Sequence, residues 1–206
     1  MLQNREEAGI KLAQELIIYQ NQNPLVLAIP RGAVSMAHII AQRLKGDLDV
    51  VLVHKLGHPL NKEFAIGAVD EDGRIYLDDD IELDQIPVKY LESERISQLE
   101  KLKQRRKLYT PIHKAINPKN RIVIIVDDGI ATGWTLKAAI QAIKDRKPAK
   151  IIVAVGVASP RVIQEIKNLA DEVVCLLTPT NFMAVGQFYH DFSQVSDDDV
   201  INLLRS

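Results

Sequence analysis

Two adjacent carboxylates and the short loop behind them are the part of the sequence best suited to chemistry. Asp127 and Asp128 follow five consecutive apolar residues, 122–126, and such a run is typical of a strand buried on both faces of a parallel sheet. Small and hydroxyl-bearing residues fill much of 129–135, and a helical pattern begins at Leu136. The order of strand, loop and helix start predicts a ligand site at the carboxyl end of a strand.

The residue types in this stretch indicate two kinds of contact. The small residues within 129–133 allow backbone N–H groups to approach an anion, and the helix that follows adds the positive end of its dipole. Thr132 and Thr135 supply hydroxyl donors. The carboxylates of Asp127 and Asp128 suit the opposite task of accepting hydrogen bonds from sugar hydroxyls or holding a hydrated cation. Together these groups predict a pocket for a ribose 5-phosphate.

The stretch RIVIIVDDGIATGWT, residues 121–135, resembles the 5-phosphoribosyl-1-pyrophosphate (PRPP) motif of type I phosphoribosyltransferases. The resemblance implies that the 5-phosphate binds at residues 131–135, and that Asp127 and Asp128 contact the ribose hydroxyls and hold Mg²⁺ through water. Gly129 stands where the family usually has a larger apolar residue. Ala131 replaces the acidic base of hypoxanthine/guanine enzymes, so no catalytic base is evident. The predicted PRPP contacts here are Asp127, Asp128, Gly129, Ala131, Thr132, Gly133, Trp134 and Thr135.

The acid pair has two other interpretations. A Walker B strand also ends in acids, but the chain contains no G-x-x-x-x-G-K-[ST] sequence and no G-x-G-x-x-G sequence. A structural strand-to-helix turn capped by a threonine remains an alternative.

A second segment repeats the same design. The apolar run 25–29 leads into Arg31, Gly32 and Ala33, and a helical pattern follows over 34–45. An arginine in place of the acids suits a more negative anion. In type I phosphoribosyltransferases the corresponding loop binds pyrophosphate, which the resemblance assigns here to Arg31, Gly32 and Ala33. The alternative is a surface arginine on an ordinary βα loop.

The strand predicted over 48–53 is followed by a third basic position. Lys55 resembles the lysine of the family's Arg-Lys dipeptide, which contacts pyrophosphate, and His54 replaces the arginine. The resemblance thus assigns catalysis to Arg31, Lys55, Asp127 and Asp128. Residues 56–63 are predicted to form an exposed, mobile loop, and the resemblance implies that this loop closes over the site. The candidates to enter the site on closure are His58, Lys62 and Glu63.

The remaining pattern alternates strands and helices. A hairpin is predicted from 64–69 and 74–77 around an Asp-Gly turn, and Asp78–Asp80 is predicted to be a charged loop. The predicted helices cover 4–21, 87–108, 136–146 and 161–169, and the further strands 151–155 and 172–177. The expected fold is α/β: a central, mainly parallel sheet of about five strands with helices on both faces, a β-hairpin and a small C-terminal hood.

The predicted organisation is one domain, 1–206, with a core over 22–178 and a hood over 179–206. Residues 178–195 are rich in aromatics without regular periodicity. By the resemblance, Phe182, Phe188 and Tyr189 are candidates to contact the acceptor, since aromatic faces suit stacking on a heterocycle. The alternative is that they only attach the tail to the domain. Ser196 is expected to cap a last helix.

Composition excludes several classes of protein. The 26 Lys and Arg residues balance 27 Asp and Glu residues, which gives no electrostatic argument for a nucleic-acid partner. No apolar run has the length of a membrane span, and the single Cys175 forms no internal disulfide. We expect a cytoplasmic protein. Its partners would be PRPP, pyrophosphate and an unidentified acceptor, with Mg²⁺ as cofactor, and a homodimer is possible. A non-catalytic PRPP or nucleotide sensor is the alternative function.

Overall fold

The computed structural model describes residues 1–77, 86–109 and 115–205. The predicted charged loop at Asp78–Asp80 lies outside these residues. The helices and strands, in chain order, are α1 Arg5–Glu15, β1 Leu25–Ala28, α2 Val34–Leu44, β2 Asp47–Val50, β3 Val53–His58, β4 Asn61–Asp70, β5 Ile75–Leu77, α3 Val88–Tyr109, β6 Ile122–Asp127, α4 Trp134–Lys144, β7 Lys150–Val157, α5 Pro160–Lys167, β8 Glu172–Leu177 and α6 Asp197–Arg205.

The central sheet is the five-stranded parallel sheet that the alternating pattern predicts. Its strand order is β2-β1-β6-β7-β8, and all four pairings are parallel. Alternate residues of β6 pack against opposite faces, Ile124 with α1 and α2, and Val123 and Ile125 with α4 and α5. Both faces are therefore covered by helices, which explains why the strands have continuous apolar runs instead of alternating ones. The predicted fold class is confirmed.

A second, antiparallel sheet corrects the prediction for residues 48–63. The strand predicted over 48–53 ends at Val50, and β3 begins at Val53. The segment 56–63, predicted to be a loop, belongs to a hairpin in which His58 pairs with Asn61. Gly57 lies at an irregular register where a Cβ would be 2.5 Å from the carbonyl oxygen of Lys62. Gly57 and Pro59 therefore mark a bulge and a tight turn within a hairpin, and not a loop.

The next hairpin agrees with its prediction. Strand β4 pairs with β5 so that Val69 is opposite Ile75, and the turn contains Gly73 at φ 83°. A residue with a Cβ is strained in that conformation, so the Asp-Gly signal identified the turn correctly. Of the acids in this turn, Asp70 accepts hydrogen bonds from the backbone N–H groups of Asp72 and Arg74, whereas Glu71 pairs with Arg106 and Asp72 pairs with Arg146.

The hood contains the N-terminal segment as well as the predicted tail. Leu2 pairs in parallel with Tyr189, and the backbone N–H of His190 donates to the carbonyl oxygen of Leu2 at 2.9 Å. Ser196 caps α6 as predicted, since its Oγ accepts from the backbone N–H of Asp199 at 3.1 Å. Among the described residues, no helix has the length and apolarity needed to cross a membrane.

Candidate active site

The two loops singled out in the sequence meet at the point where the strand order reverses. Strands β1 and β6 are neighbours, with Ala28 opposite Val126, and the chain proceeds outward from them in opposite directions. In open parallel sheets, ligands bind in the crevice at this switch point. The loops are in direct contact, because a Cβ on Gly32 would lie 2.1 Å from Oδ2 of Asp128. Only glycine at this position allows the loops to approach so closely.

The loop after β6 has free donors suited to an anion. Gly133 adopts φ 84° and precedes α4, where the first helical hydrogen bond is donated by Lys137 N–H to the Gly133 carbonyl at 2.8 Å. Within the described part of the chain, the backbone N–H groups of Ala131, Thr132 and Gly133 form no hydrogen bond. The N–H groups at 134–136 also lack helical partners, since they belong to the first turn.

These donors open onto a pocket of about 170 Å³. Its walls are formed by Asp127 and by residues 129–136. The pocket therefore combines unpaired N–H groups, two threonines and one carboxylate. This combination can hold a phosphate at the helix end and a hydroxyl-bearing group beside Asp127.

The two acids differ in their surroundings. Oδ1 of Asp127 accepts the backbone N–H of Asp128 at 2.9 Å, and burial together with the charge of Asp128 raises the Asp127 pKa well above its ordinary value. Oδ2 of Asp128 instead receives Arg5 Nε at 2.8 Å, with side-chain exposures of 15% and 12%. Burial raises the pKa of Asp128, and the Arg5 charge opposes that rise. Asp127 lines the pocket, whereas Asp128 is directed at Arg5 and Gly32.

Sequence reasoning missed Arg5. It is the first residue of α1, 123 positions from its partner, and nothing in the local pattern separates it from other arginines at helix starts. Its guanidinium also lies 3.9 Å from the centre of the Phe192 ring, and Nη1 donates to the Ser193 carbonyl at 2.8 Å. Only the tertiary fold brings these groups together.

Three of the residues predicted to contact pyrophosphate, Arg31, Ala33 and Lys55, lie in different surroundings from one another. Arg31 follows a cis peptide bond with Pro30, is exposed, and lies 3.8 Å from Oδ2 of Asp197 in α6. Ala33 is buried at the start of α2. Lys55 is exposed within β3 on the antiparallel sheet, so it does not directly follow the end of a parallel strand as predicted.

The mobile-loop candidates also belong to the antiparallel hairpin. His58 ends β3 and its ring packs edge-on against Phe64, with centroids 6.1 Å apart, while Lys62 lies in β4. The role predicted for Glu63 falls outside the side chains that the structure describes. Neither His58 nor Lys62 lines the pocket of Asp127.

One residue of the aromatic tail, Tyr189, is hydrogen-bonded to the loop after β6. Tyr189 is only 5% exposed, and its hydroxyl donates to the carbonyl oxygen of Asp128 at 2.6 Å. With its ring buried, Tyr189 offers no free face for stacking, contrary to its predicted role. Phe182 and Phe188 are partly buried and stack on each other with centroids 5.5 Å apart. Among these aromatics, Tyr189 acts on the site through the backbone.

Tail packing also explains an unusual glycine. A Cβ on Gly129 would lie 2.4 Å from Val185 Cγ1 and 2.9 Å from Val157 Cγ1. The larger apolar residue usual in the resembling family has no room here, because Val185 of the hood occupies that space. The packing of Val185 therefore explains why this chain has glycine at position 129.

The carboxylates at this site fit an Mg²⁺ ion that is held partly by the phosphates of a bound ligand. Among residues 1–77, 86–109 and 115–205, no group of three or more His, Cys, Asp or Glu side chains could enclose a metal. Mg²⁺ often binds through one or two carboxylates, water and substrate phosphates. Asp127, which lines the pocket, provides such a carboxylate.

Comparison with known proteins identifies relatives over the whole chain. The family model for the phosphoribosyl transferase domain matches residues 1–193. Two proteins of Mycobacterium tuberculosis, from strains CDC 1551 and H37Rv, carry the provisional name of phosphoribosyl transferase and are 39% identical over 99% of this chain. The alignment covers 46% of each of these proteins, so the chain spans about half the length of the curated relatives it matches.

Solved structures share the architecture. The crystal structure of TT1426 from Thermus thermophilus is 42% identical, with a TM-score of 0.87 over 99% of this chain and 97% of that chain. AQ2163 from Aquifex aeolicus is 15% identical, with a TM-score of 0.53 over 84% of this chain and 74% of that chain, a likeness of fold alone.

Proposed function

Because the chain belongs to the phosphoribosyl transferase domain family, we propose that it is an Mg²⁺-dependent enzyme that transfers the 5-phosphoribosyl group of PRPP to a nitrogen acceptor. The acceptor would be of the nucleobase type, and pyrophosphate would be released. We place this activity in the cytoplasm.

One observation carries the proposal. The loop with an arginine and the loop with two acids meet at the strand switch point, and a pocket with unpaired N–H groups and one carboxylate opens there. PRPP carries a phosphate at C5, a pyrophosphate at C1 and a diol between them. The pocket offers donors to the phosphate and an acceptor to the diol, while Arg31 lies on the adjoining loop.

The reaction needs little covalent chemistry from the protein. The bond between ribose C1 and the pyrophosphate oxygen breaks, and the acceptor nitrogen uses its lone pair to form the new C1–N bond and then loses its proton. Positive charge grows at C1 while pyrophosphate gains negative charge. The loop donors hold the 5-phosphate so that C1 is oriented, and Arg31 stabilises the leaving group. Mg²⁺, when bound, neutralises part of the pyrophosphate charge.

The single tryptophan makes the proposal directly testable. Trp134 is the only tryptophan in the chain and lines the pocket, so its fluorescence reports on occupancy of the loop. We would titrate the protein with PRPP, with and without Mg²⁺, and then assay pyrophosphate release with a panel of purines, pyrimidines and small nitrogen heterocycles. Thr132→Val, which removes a hydroxyl at the loop, should weaken the PRPP response. Thr110→Val, a threonine away from both loops in the sequence, is the matched control.

The outcomes separate the candidate functions. A saturable, Mg²⁺-dependent response with pyrophosphate release for one base supports the transferase and identifies its acceptor. A response to PRPP with no release for any base favours the alternative, a regulator that binds PRPP or a nucleotide without turnover. A wild-type protein that gives no response to PRPP would contradict both.

A further inference from the structure

The Arg5 guanidinium connects three parts of the molecule at one point. Nε donates to Oδ2 of Asp128 at 2.8 Å, Nη1 donates to the Ser193 carbonyl at 2.8 Å, and the planar group lies 3.9 Å from the Phe192 ring centre. These partners belong to the loop after β6 and to the hood, while Arg5 itself begins α1. An arginine held by a carboxylate, a carbonyl and an aromatic face is fixed in one orientation.

Asp128 is fixed from the other directions too. Gly32 of the arginine-bearing loop is packed against Oδ2, and Tyr189 donates to the Asp128 carbonyl at 2.6 Å. By contrast, Asp127 lines the pocket and receives a hydrogen bond only from the next backbone N–H among the described residues. The adjacent acids therefore have different surroundings, one facing the pocket and the other facing the protein.

The geometry points to a division of labour in the acid pair: Asp127 contacts the sugar, while Arg5 is a positioning residue that acts through Asp128 to hold the two anion loops in register. This inference rests on the proposed function, since it concerns how the same pocket binds PRPP. It also differs from the sequence expectation that both acids contact the ribose.

The physical reasoning concerns preorganisation. Two loops that bind the two ends of one ligand must keep a fixed separation, or the ligand must order them at a cost in affinity. The Arg5–Asp128 pair is largely buried, and the guanidinium also contacts the hood. Loss of either partner leaves the other without its charged hydrogen bond, and the contact between Asp128 and Gly32 loosens. The loops then lose their register although neither has lost a residue that binds PRPP.

The test is a double-mutant cycle in which PRPP affinity is measured by Trp134 fluorescence in the presence of Mg²⁺. The variants are Arg5→Gln, Asp128→Asn and the double variant, with Arg5→Lys as the conservative substitution. Lys11→Gln is the matched control, because it removes a cation from the same helix, where Lys11 pairs with Glu7 at 2.9 Å. Thermal unfolding is measured for every variant, so that a loss of fold is separated from a loss of binding.

If Arg5 acts through Asp128, each single variant weakens PRPP binding by about tenfold, which corresponds to one charge-assisted hydrogen bond. The double variant is then about as weak as either single variant, since both changes remove the same charge pair. Arg5→Lys recovers part of the loss, and Lys11→Gln binds PRPP like the wild type.

Three results would overturn the inference. Losses that multiply in the double variant would mean that Arg5 and Asp128 act separately. Unchanged affinity with a lowered Tm in Arg5→Gln would reduce the contact to a structural one. Tighter binding in Arg5→Gln would show that Arg5 competes with the sugar for Asp128.

Failure of the proposed function has a separate signature. It appears as a wild-type protein with no PRPP response, which overturns the positioning role as well. The cycle is then read from Tm, where additive effects overturn the Arg5–Asp128 contact itself and non-additive effects leave it as a structural contact.

Discussion

The two ends of the strands in the parallel sheet, here called the amino edge and the carboxyl edge, differ in how their charged side chains are paired. At the amino edge, Lys150 at the start of β7 donates to Glu172 at the start of β8 at 2.8 Å, and the Tyr19 hydroxyl contacts both side chains. Nearby, Arg121 lies 2.8 Å from Asp47 and also donates to the Asn23 carbonyl. Each of these charged side chains has an opposite charge beside it.

At the carboxyl edge the charges are left uneven. Asp127 and Asp128 are adjacent like charges, of which only Asp128 pairs with a guanidinium among the described residues, and the loop that follows them carries unpaired N–H groups. Such an edge costs stability in the absence of a ligand, because burial and repulsion disfavour the second negative charge. An edge with paired charges only holds the fold together, whereas an edge with uneven charges can gain by binding a molecule that has both phosphates and hydroxyls.

The sharpest test of this contrast is Asp127→Asn. We expect PRPP affinity to fall by about 100-fold, since two hydrogen bonds from sugar hydroxyls to a charged acceptor are lost or weakened. Oδ1 of asparagine can still accept the Asp128 N–H, so the loop should remain folded. The measurement is the Trp134 titration. An affinity within threefold of the wild type would place the sugar elsewhere.

The same variant should be more stable than the wild type at neutral pH. Burial and the Asp128 charge raise the Asp127 pKa in the folded state above the ordinary value of 3.8. The folded protein therefore holds this proton more tightly than the unfolded chain, and this group makes stability fall as pH rises from about 4 through the folded pKa. Asp127→Asn removes that contribution. Thermal unfolding from about pH 4 to neutral pH should show a Tm advantage of the variant that grows as pH rises, and a weaker pH dependence than in the wild type.

Much of the fold could be predicted from local patterns. The continuous apolar run of β6 and the regular spacing of helices and strands correspond to burial on both sheet faces, and such features depend on few residues at a time. The hairpin at 56–63 could not be predicted in this way. Gly57, Pro59 and Asn61 are equally suited to a loop, and only pairing with the rest of β4 makes the segment a strand.

The candidate site divides in the same manner. The two loops lie at the ends of adjacent strands because parallel topology places carboxyl ends at one edge, so their meeting could be expected. Arg5 and the buried position of Tyr189 depend on contacts 123 and 61 residues apart in the sequence. The aromatic composition of the tail indicates stacking and packing equally well, and only the fold decides that Tyr189 supports Asp128.

A smaller effect is expected beneath the acid pair, at Gly156 in β7. A Cβ there would lie 2.0 Å from the Tyr189 hydroxyl oxygen and 2.7 Å from the Asp128 carbonyl oxygen. Gly156→Ala should therefore destabilise the fold by about 2 kcal/mol, as overpacking does in cores. It should also weaken PRPP binding by displacing Asp128. Combining it with Tyr189→Phe should recover part of the stability, although Tyr189→Phe alone costs about 1 kcal/mol for its lost hydrogen bond.

The smallest effect should come from the amino edge, and it decides whether the contrast is real. Lys150→Met removes the cation from a pair whose side chains are 34% and 33% exposed. Pairs exposed to this degree contribute about 1 kcal/mol or less, so Tm should fall by no more than about 4 °C. PRPP affinity should stay within twofold of the wild type, because the pair lies at the opposite end of β7 from the loops. Glu172→Gln is the matched control and should behave alike. A clear loss of PRPP binding in either variant would mean that the paired edge also shapes the site, and that the two edges do not act independently.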